Sequence, residues 1–233
     1  MMKEKIYTIP INEAYETECE CPLCLIEKKL EKEAVEYELG AAMMEPDHRE
    51  QSNEKGFCNK HYNMLFAAQN KLPLALVLDT HLDTVRAKIS QMQKPEKAKG
   101  LFRKASSKPS CAELVSSCMV CGKVNGTMDR YCRVLIEMWK DDKDFREKVA
   151  KSKGFCLPHF EKLYGLSDDA EFLAAIAETE AAAFEKIKED VHRFTLKFDY
   201  RNRDMEWGDA KDAPLRAVEK LAGYIADGGE RSE

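Results

Sequence analysis

The sequence predicts an all-α fold made of two pseudo-repeated helical halves, followed by a C-terminal loop and a last helix. Apolar residues recur every three or four positions through most of the chain, which is the period of an amphipathic helix. No stretch alternates apolar and polar residues as a half-buried strand would. A Cys-x-x-Cys motif and a Gly-Phe-Cys-x-x-His motif each occur twice, which indicates one unit used two times.

The two copies of each motif are separated by nearly the same number of residues. The Cys-x-x-Cys that begins at Cys21 recurs 97 residues later at Cys118, and Cys58 of the second motif recurs 98 residues later as Cys156. The candidate metal ligands are therefore Cys21, Cys24, Cys58, His61, Cys118, Cys121, Cys156 and His159.

Composition favours a globular protein that works in a reducing compartment. The chain has 233 residues, 44% hydrophobic and 34% charged, with a net charge of −5. A negative net charge argues against a protein built to bind nucleic acid, and no apolar window approaches the roughly 18 residues of a membrane span. The N-terminus lacks the apolar core of an export signal, so we expect a cytoplasmic protein. Nine cysteines there favour metal ligation over disulfides.

The first half, residues 1–93, is predicted to be one Cys3His helical repeat. Its predicted elements are an extended lead to Pro10, a brief helix over about 13–20 behind Asn12, a helix over about 22–40, a short helix over about 47–53 opened by Asp47, and helices that begin near 58 and 73. Residues 94–110 contain two prolines, adjacent serines and an excess of basic residues, and are predicted to be a linker.

The second half, residues 111–198, repeats this plan. Its predicted helices cover about 123–140, 142–152 and 156–164, and Ser167 is predicted to cap a long alanine-rich helix that ends near 197. Residues 199–233 form a C-terminal loop, a helix and a flexible tail, and Asp212 with Pro214 opens that helix.

The eight Cys and His residues have the chemistry of two zinc sites. Two Cys separated by two residues can place both sulfurs about 2.3 Å from one ion, and a further pair completes a tetrahedron. Cys58 and His61 are spaced i and i+3, so both side chains point to one face of a helix start, where the helix dipole favours a thiolate. Two zinc ions per chain are predicted, and an iron–sulfur cluster is the less favoured occupant.

How the four motif pairs combine is left open by the sequence. The two pairs of one half are separated by 33 residues in the first copy and 34 in the second, so a whole helix must fold between them. Pairing within each half is favoured, while Cys-x-x-Cys of one half can also meet Cys-x-x-His of the other. The plainer alternative is buried cysteine with a core histidine, which the repeated spacing makes the weaker interpretation.

The remaining candidates have simpler predicted roles. Cys19 and Cys111 are predicted to be free thiols, although Cys19 lies close enough to Cys21 to substitute as a ligand, and Cys132 is predicted to be a core residue. His81 is predicted to be a helix histidine with a satisfied ring. The loop over 199–209 is rich in acids and arginines, and the favoured interpretation is that these pair with one another while Tyr200 and Trp207 anchor the loop.

The two copies of both motifs, the string EPDHREQSNEKGFC before the first closing pair, and KFDYRNRDMEWGDAKDAPLRAVEKL near the end resemble an uncharacterised bacterial family, domain of unknown function 6062. The similarity runs over nearly the whole chain. It implies a cytosolic protein with a repeated Cys3His arrangement, and the resemblance brings no established activity with it.

Three functional hypotheses follow from the sequence. The first is a helical binding or scaffold protein with two structural zinc ions and an unidentified protein or small-molecule partner. The second is a redox sensor in which oxidation of a Cys-x-x-Cys pair releases zinc. The third is an enzyme that uses the 199–209 loop, which is less favoured because no nucleophile with a base can be identified.

Overall fold

A computed structural model describes residues 5–69, 71–93, 110–202 and 204–225 of the chain. Over these ranges the protein is helical and contains no β-strand, which confirms the predicted all-α class. The α-helices are α1 (Lys5–Glu16), α2 (Pro22–Glu38), α3 (Pro46–Lys55), α4 (Asn59–Ala67), α5 (Lys71–Met92), α6 (Ala112–Ser116), α7 (Met119–Asp141), α8 (Lys143–Lys151), α9 (Leu157–Leu166), α10 (Ala170–Leu196) and α11 (Ala213–Ala222). Short 3₁₀ turns cover Ala41–Met44, Tyr200–Asn202 and Gly208–Ala210. In the described ranges, no helix is long and apolar enough to span a membrane.

The chain divides into two compact units. Unit 1 contains residues 1–29 and 127–233, and unit 2 contains residues 30–126. The divisions fall inside α2 and α7, whereas the predicted linker lies almost wholly outside the described residues. The domain boundaries taken from the sequence repeat therefore stay a prediction.

The core of unit 1 is built around α10, which packs against α8, α9 and α11. Phe172 and Ile176 of α10 are fully buried, and Trp139 of α7 meets the Phe172 ring edge to face at a centroid distance of 5.3 Å. Tyr15 of α1 makes a similar contact with the buried Phe145 of α8 at 5.1 Å. Each such side chain contributes about 2 to 3 kcal/mol when it leaves water, so these aromatic contacts fix the helices that present the site.

Unit 2 has a smaller core around α3, α4 and α5. Phe57, Leu65 and Leu74 are buried there, while α5 packs on α3 along its first half. Further along α5 apolar residues continue at helical spacing in the sequence, but Leu82 and Ile89 are exposed. The helical period of α5 was therefore predictable, whereas the burial of its second half was not.

Three local predictions are wrong. The lead is helical and continues through Pro10, which lies inside α1 at the cost of a lost backbone hydrogen bond, and α1 buries Ile11 fully. The cap of α10 is Asp169, whose carboxylate accepts from the backbone N–H groups of the next turn, while the Ser167 hydroxyl accepts from the Asp169 N–H. Glu45 occupies the N-cap of α3 and Asp47 lies in its first turn.

Near the end of the chain the structure agrees better with the prediction made from the sequence. Asp212 precedes α11, a proline lies in its first turn, and Gly223 ends it with a φ of 88°. The predicted flexible tail lies outside the described residues, as does Arg203 of the loop.

Candidate metal centres

All four motif pairs lie at the N-termini of helices. Cys58 is the N-cap of α4 and Cys156 is the N-cap of α9. Helix α2 begins directly after Cys21, and α7 directly after Cys118. Free backbone N–H groups and the positive end of the helix dipole favour a thiolate at each of these positions.

The Gly-Phe step before each closing pair makes the turn that delivers the cysteine. Gly56 and Gly154 have φ values of 61° and 76°, in the region that favours glycine. A Cβ at Gly154 would lie 2.5 Å from Glu180 Oε2, and one at Gly56 would lie 2.8 Å from the His81 ring. Both positions therefore require glycine, because the backbone has a positive φ and a side chain would collide with Glu180 or His81.

The eight predicted ligands come together as two quartets, and the pairing is crossed. The buried quartet is Cys21, Cys24, Cys156 and His159, all in unit 1, and the half-exposed quartet is Cys58, His61, Cys118 and Cys121, all in unit 2. In each quartet the four ligand atoms lie within 4.8 Å of one another. The favoured pairing within each sequence half is thus wrong, and the alternative pairing between halves is found.

The buried quartet has the dimensions of a tetrahedral site. His159 Nδ1 lies 3.2 Å from Cys156 Sγ, 3.4 Å from Cys24 Sγ and 3.5 Å from Cys21 Sγ. Cys24 Sγ and Cys156 Sγ are 3.5 Å apart. Bonds of about 2.3 Å to sulfur and about 2.0 Å to nitrogen place tetrahedral ligand atoms about 3.5 to 3.8 Å apart, so the donor set fits one zinc ion.

The half-exposed quartet has the same dimensions in more open surroundings. His61 Nδ1 lies 3.1 Å from Cys58 Sγ, 3.2 Å from Cys118 Sγ and 3.4 Å from Cys121 Sγ. Cys58 Sγ and Cys121 Sγ are 3.8 Å apart. Cys58 and Cys121 are only half-buried, whereas every member of the other quartet is buried.

A carboxylate lies behind each histidine, and neither of the two was among the predicted site residues. Glu31 Oε1 lies 2.9 Å from His61 Nε2, and Glu27 Oε2 lies 3.5 Å from His159 Nε2. A carboxylate that accepts from Nε2–H leaves the Nδ1 lone pair free for a metal. Glu27 and Glu31 lie one turn apart on α2, the helix that begins at the first Cys-x-x-Cys, and this i, i+4 pair was the available signal.

The protein groups alone concentrate negative charge on one sulfur of each quartet. In the half-exposed quartet burial works against ionisation, but hydrogen bonding to His61 still lowers the pKa of Cys118 to about 6. Burial, with Cys118 beside it, raises the pKa of Cys121 to about 12. Hydrogen bonds from Cys21 and Cys24 lower the pKa of Cys156 in the buried quartet. A divalent cation would favour the thiolate form of the other sulfurs as well, so its binding releases protons.

A buried ion pair holds the turn that carries Cys156. Lys220, with 1% of its surface exposed, donates to the carbonyl of Phe155 at 3.0 Å and to that of Lys153. Glu180 Oε2 accepts from the Phe155 N–H at 2.8 Å, and Glu180 Oε1 lies 3.7 Å from the Lys220 ammonium. This turn therefore depends on charged groups of α10 and α11.

Neutral groups hold the equivalent turn that carries Cys58. Ser117 Oγ donates to the Lys55 carbonyl at 2.7 Å, and the Met119 N–H donates to the Gly56 carbonyl at 3.0 Å. His81 Nδ1 donates to the Asn53 carbonyl at 2.8 Å, as expected for a satisfied helix histidine. His81 is the eleventh residue of α5, and Glu180 is the eleventh residue of α10.

The other cysteines take no part in either quartet. Cys132 is fully buried and belongs to the core, as predicted. Cys111 is half-buried with its sulfur 3.7 Å from Met92 Sδ. Cys19 is half-buried and borders a small cavity beside Cys21 and Cys24.

The 199–209 loop contains acids, arginines and aromatic residues and has no Ser, Thr, Cys or His. Asp199 pairs with Arg201 at 2.6 Å, as predicted. Trp207 packs on Phe194 at 5.5 Å but is 36% exposed, and Tyr200 is 87% exposed, so the prediction that these two residues are buried anchors is wrong.

These features define an all-α protein with two Cys3His clusters at metal-binding distances. The chain belongs to the family described as a family of unknown function (DUF6062), whose model matches residues 2–228. None of the curated proteins and none of the solved structures compared with the chain matches it.

Proposed function

We propose that each quartet binds one zinc ion and that both ions are structural, in a helical protein that binds or organises a partner. The observation that carries this proposal is the convergence of all eight motif residues into two complete Cys3His sets with no ligand left over. Zinc favours four-coordinate sites of this composition.

A structural role follows from the coordination number. Four protein ligands fill a tetrahedron and leave no position for water or substrate. Each ion would also join segments far apart in sequence, since Cys24 and Cys156 are separated by 132 residues and Cys58 and Cys121 by 63. Holding such distant segments together costs loop entropy, which the binding free energy of zinc can offset.

Surface chemistry supports a protein or small molecule as the partner rather than a nucleic acid or a membrane. The net charge of −5 opposes phosphate binding. None of the nine cysteines forms a disulfide, which is consistent with the reducing cytoplasm that we propose as the compartment.

Elemental analysis of the purified chain tests the zinc proposal. We expect two zinc ions per chain and a colourless protein when it is prepared without air. Cys111→Ser is the control and should keep both ions, because Cys111 lies outside both quartets. Zinc content well below two, or a coloured protein that contains iron, would contradict the proposal.

A thiol and zinc redox sensor is the second candidate, and the exposure of Cys58 and Cys121 favours it. Hydrogen peroxide would oxidise two thiolates to a disulfide and be reduced to water, and the site would lose two ligands. We expect zinc release from the half-exposed quartet before the buried one. Peroxide treatment that frees no zinc and leaves the thiol count unchanged would rule out this function.

A further inference from the structure

The end of α11 lies directly against the buried quartet. Gly223 ends this helix, and a Cβ at Gly223 would lie 3.6 Å from Cys24 Sγ and 3.7 Å from Cys156 Sγ. All three residues belong to unit 1. Two of the four ligand sulfurs and nitrogens of the quartet therefore have the backbone that leaves α11 as a neighbour. Residues 223 and 224 are called the C-terminal strap below.

The conformation at Gly223 allows the strap to pass this close to the sulfurs. Its φ of 88° lies in the region that favours glycine, and its N–H donates to the Glu219 carbonyl at 2.9 Å. Helix α11 is fixed on the same side by Lys220, whose ammonium donates to the carbonyl of Phe155 in the turn before Cys156. The strap therefore starts from a firmly held helix end.

The second residue of the strap, Tyr224, lies beside Cys24. Together with Cys19, Cys21 and Cys24 it lines a cavity of about 20 Å³, which has room for about one water molecule. The hydrogen bond with Cys156 raises the pKa of Cys24 to about 12, and the Tyr224 backbone acts in the opposite direction. Tyr224 thus forms part of the wall of a space that adjoins two ligand sulfurs.

A lysine of α2 holds the Tyr224 side chain in place. Lys28 Nζ donates to the Tyr224 hydroxyl at 2.5 Å and lies 4.0 Å from the centre of the Tyr224 ring. Lys28 follows Cys24 by four residues on α2, so the ammonium and the thiol lie on one face of the helix, one turn apart. Helix α2 therefore presents both a ligand and the group that holds the strap beside that ligand.

We propose that the strap closes the buried quartet and that the contact between Lys28 and Tyr224 controls how fast zinc leaves it. This inference rests on the proposed zinc sites and assigns positioning residues that are not ligands. The contact lies at the surface of the protein, so it can open while the ligands and the core stay in place. The half-exposed quartet lies in unit 2 and shares none of these residues, which makes it an internal control.

Zinc release from the full-length, zinc-loaded protein to a chromophoric chelator tests the proposal. Cys58→Ser damages only the half-exposed quartet and so identifies which phase of release belongs to the buried one. The chelator is raised until the rate no longer depends on its concentration, so that opening of the site is measured. Tyr224→Phe removes the hydroxyl and keeps the ring, and should accelerate release from the buried quartet about threefold. Lys28→Met removes the ammonium and should accelerate it about fivefold.

A double variant and two matched controls show whether the contact itself is responsible. Lys28→Met combined with Tyr224→Phe should release zinc no faster than Lys28→Met alone, because both substitutions break one contact. Lys29→Met and Tyr200→Phe make the same chemical changes at exposed positions of unit 1 outside the strap, and they should leave the rate unchanged. Helix content by circular dichroism should stay at the wild-type value throughout.

Gly223→Ala tests the close approach of the backbone. Alanine is disfavoured at this φ, and its Cβ would lie against two ligand sulfurs, so the strap should lift and release from the buried quartet should accelerate about tenfold. Gly165→Ala is the matched control in α9, because a Cβ there meets nothing within 4 Å.

The outcomes separate this proposal from the proposed function. Unchanged release in Tyr224→Phe and Lys28→Met chains that hold two zinc ions would overturn the strap and leave the zinc sites intact. Equal acceleration at both quartets would also overturn it, since that result means a general loosening of the protein. A buried quartet that holds no zinc would overturn the strap and the proposed function together.

Discussion

The buried and the half-exposed quartets have the same donor atoms and differ in what surrounds them. Both consist of Cys-x-x-Cys at one helix start and Cys-x-x-His at another, with ligand distances of 3.1 to 3.8 Å. In unit 1 all four ligands are buried, and the turn before Cys156 is held by Lys220 and Glu180. In unit 2 the ligand residues Cys58 and Cys121 are only half-buried, and neutral groups hold the turn before Cys58.

This difference teaches that a local motif specifies a ligand set but not the stability of the site. Burial excludes water, chelators and oxidants, while a charged support costs desolvation that only correct pairing offsets. The buried quartet should therefore be the longer-lived site and the more sensitive to loss of its support. The half-exposed quartet should exchange and oxidise first.

The largest expected effect comes from paired ligand substitutions that test the crossed grouping. Cys21→Ser with Cys156→Ser removes two ligands of one quartet, so this chain should retain one zinc ion. Cys21→Ser with Cys58→Ser damages both quartets and should retain none. A structural site is worth about 10 kcal/mol of binding free energy, so the two chains should also differ in thermal unfolding. Elemental analysis checks the stoichiometry, and the reverse pattern would mean that the quartets form within the sequence halves.

Removing one partner of the buried ion pair should have the next largest effect. Lys220→Met leaves the Glu180 carboxylate buried without its cation and should reduce the free energy of unfolding by about 3 kcal/mol. His81→Gln in unit 2 removes one neutral hydrogen bond and should cost about 1 kcal/mol. Urea unfolding of the zinc-loaded proteins measures both. If Lys220→Met lowers the free energy of unfolding no more than His81→Gln does, the charged groups beside the Cys156 turn do not make the buried quartet more sensitive than the half-exposed one.

Adding Glu180→Gln to Lys220→Met tests whether the unpaired Glu180 carboxylate causes the loss of stability. The double variant has no unpaired buried charge, so it should recover part of the stability lost in Lys220→Met. A further loss would show instead that the hydrogen bond between Glu180 and the Phe155 N–H is the dominant contribution.

The carboxylates behind the two histidines should have unequal effects on zinc retention. Glu31 lies 2.9 Å from His61 Nε2, so Glu31→Gln should accelerate zinc loss from the half-exposed quartet about tenfold. Glu27 lies 3.5 Å from His159 and is 42% exposed, so Glu27→Gln should change the buried quartet much less. Chelator-driven zinc release, followed in chains that retain a single quartet, measures each rate. Equal acceleration by both substitutions would contradict this ranking.

The smallest expected effects come from two tyrosine substitutions, one in each unit. Among the described residues the buried Tyr15 hydroxyl of unit 1 has no hydrogen-bond partner, and burial raises the pKa of Tyr15 well above its usual value. Tyr15→Phe should therefore leave stability unchanged or increase it by up to about 1 kcal/mol. The Tyr62 ring in unit 2 meets the Phe57 ring edge to face at a centroid distance of 5.5 Å, and Tyr62→Phe keeps this contact, so it should change stability by less than about 0.5 kcal/mol. Urea unfolding that shows a clear loss for Tyr15→Phe would mean that its hydroxyl has a partner in solution.

Short-range features of the fold were readable from the sequence. The period of the apolar residues predicted the long helices, and Gly56 and Gly154 marked the turns that deliver a cysteine to a helix start. Some of the errors were local as well. A helix ran through Pro10, and Asp169 rather than Ser167 capped α10, because burial of neighbouring side chains selected among nearly equal local choices.

The sequence by itself determined the helical class and which eight residues stand at ligand spacing, because both depend on neighbours within about one helical turn. Only the tertiary structure decided that Cys24 meets Cys156 and that Cys58 meets Cys121. It likewise placed Glu27 and Glu31 behind the histidines and Lys220 against the turn before Cys156. Such contacts join residues far apart along the chain, and packing of the helices, which no single motif encodes, selects among the possible pairings.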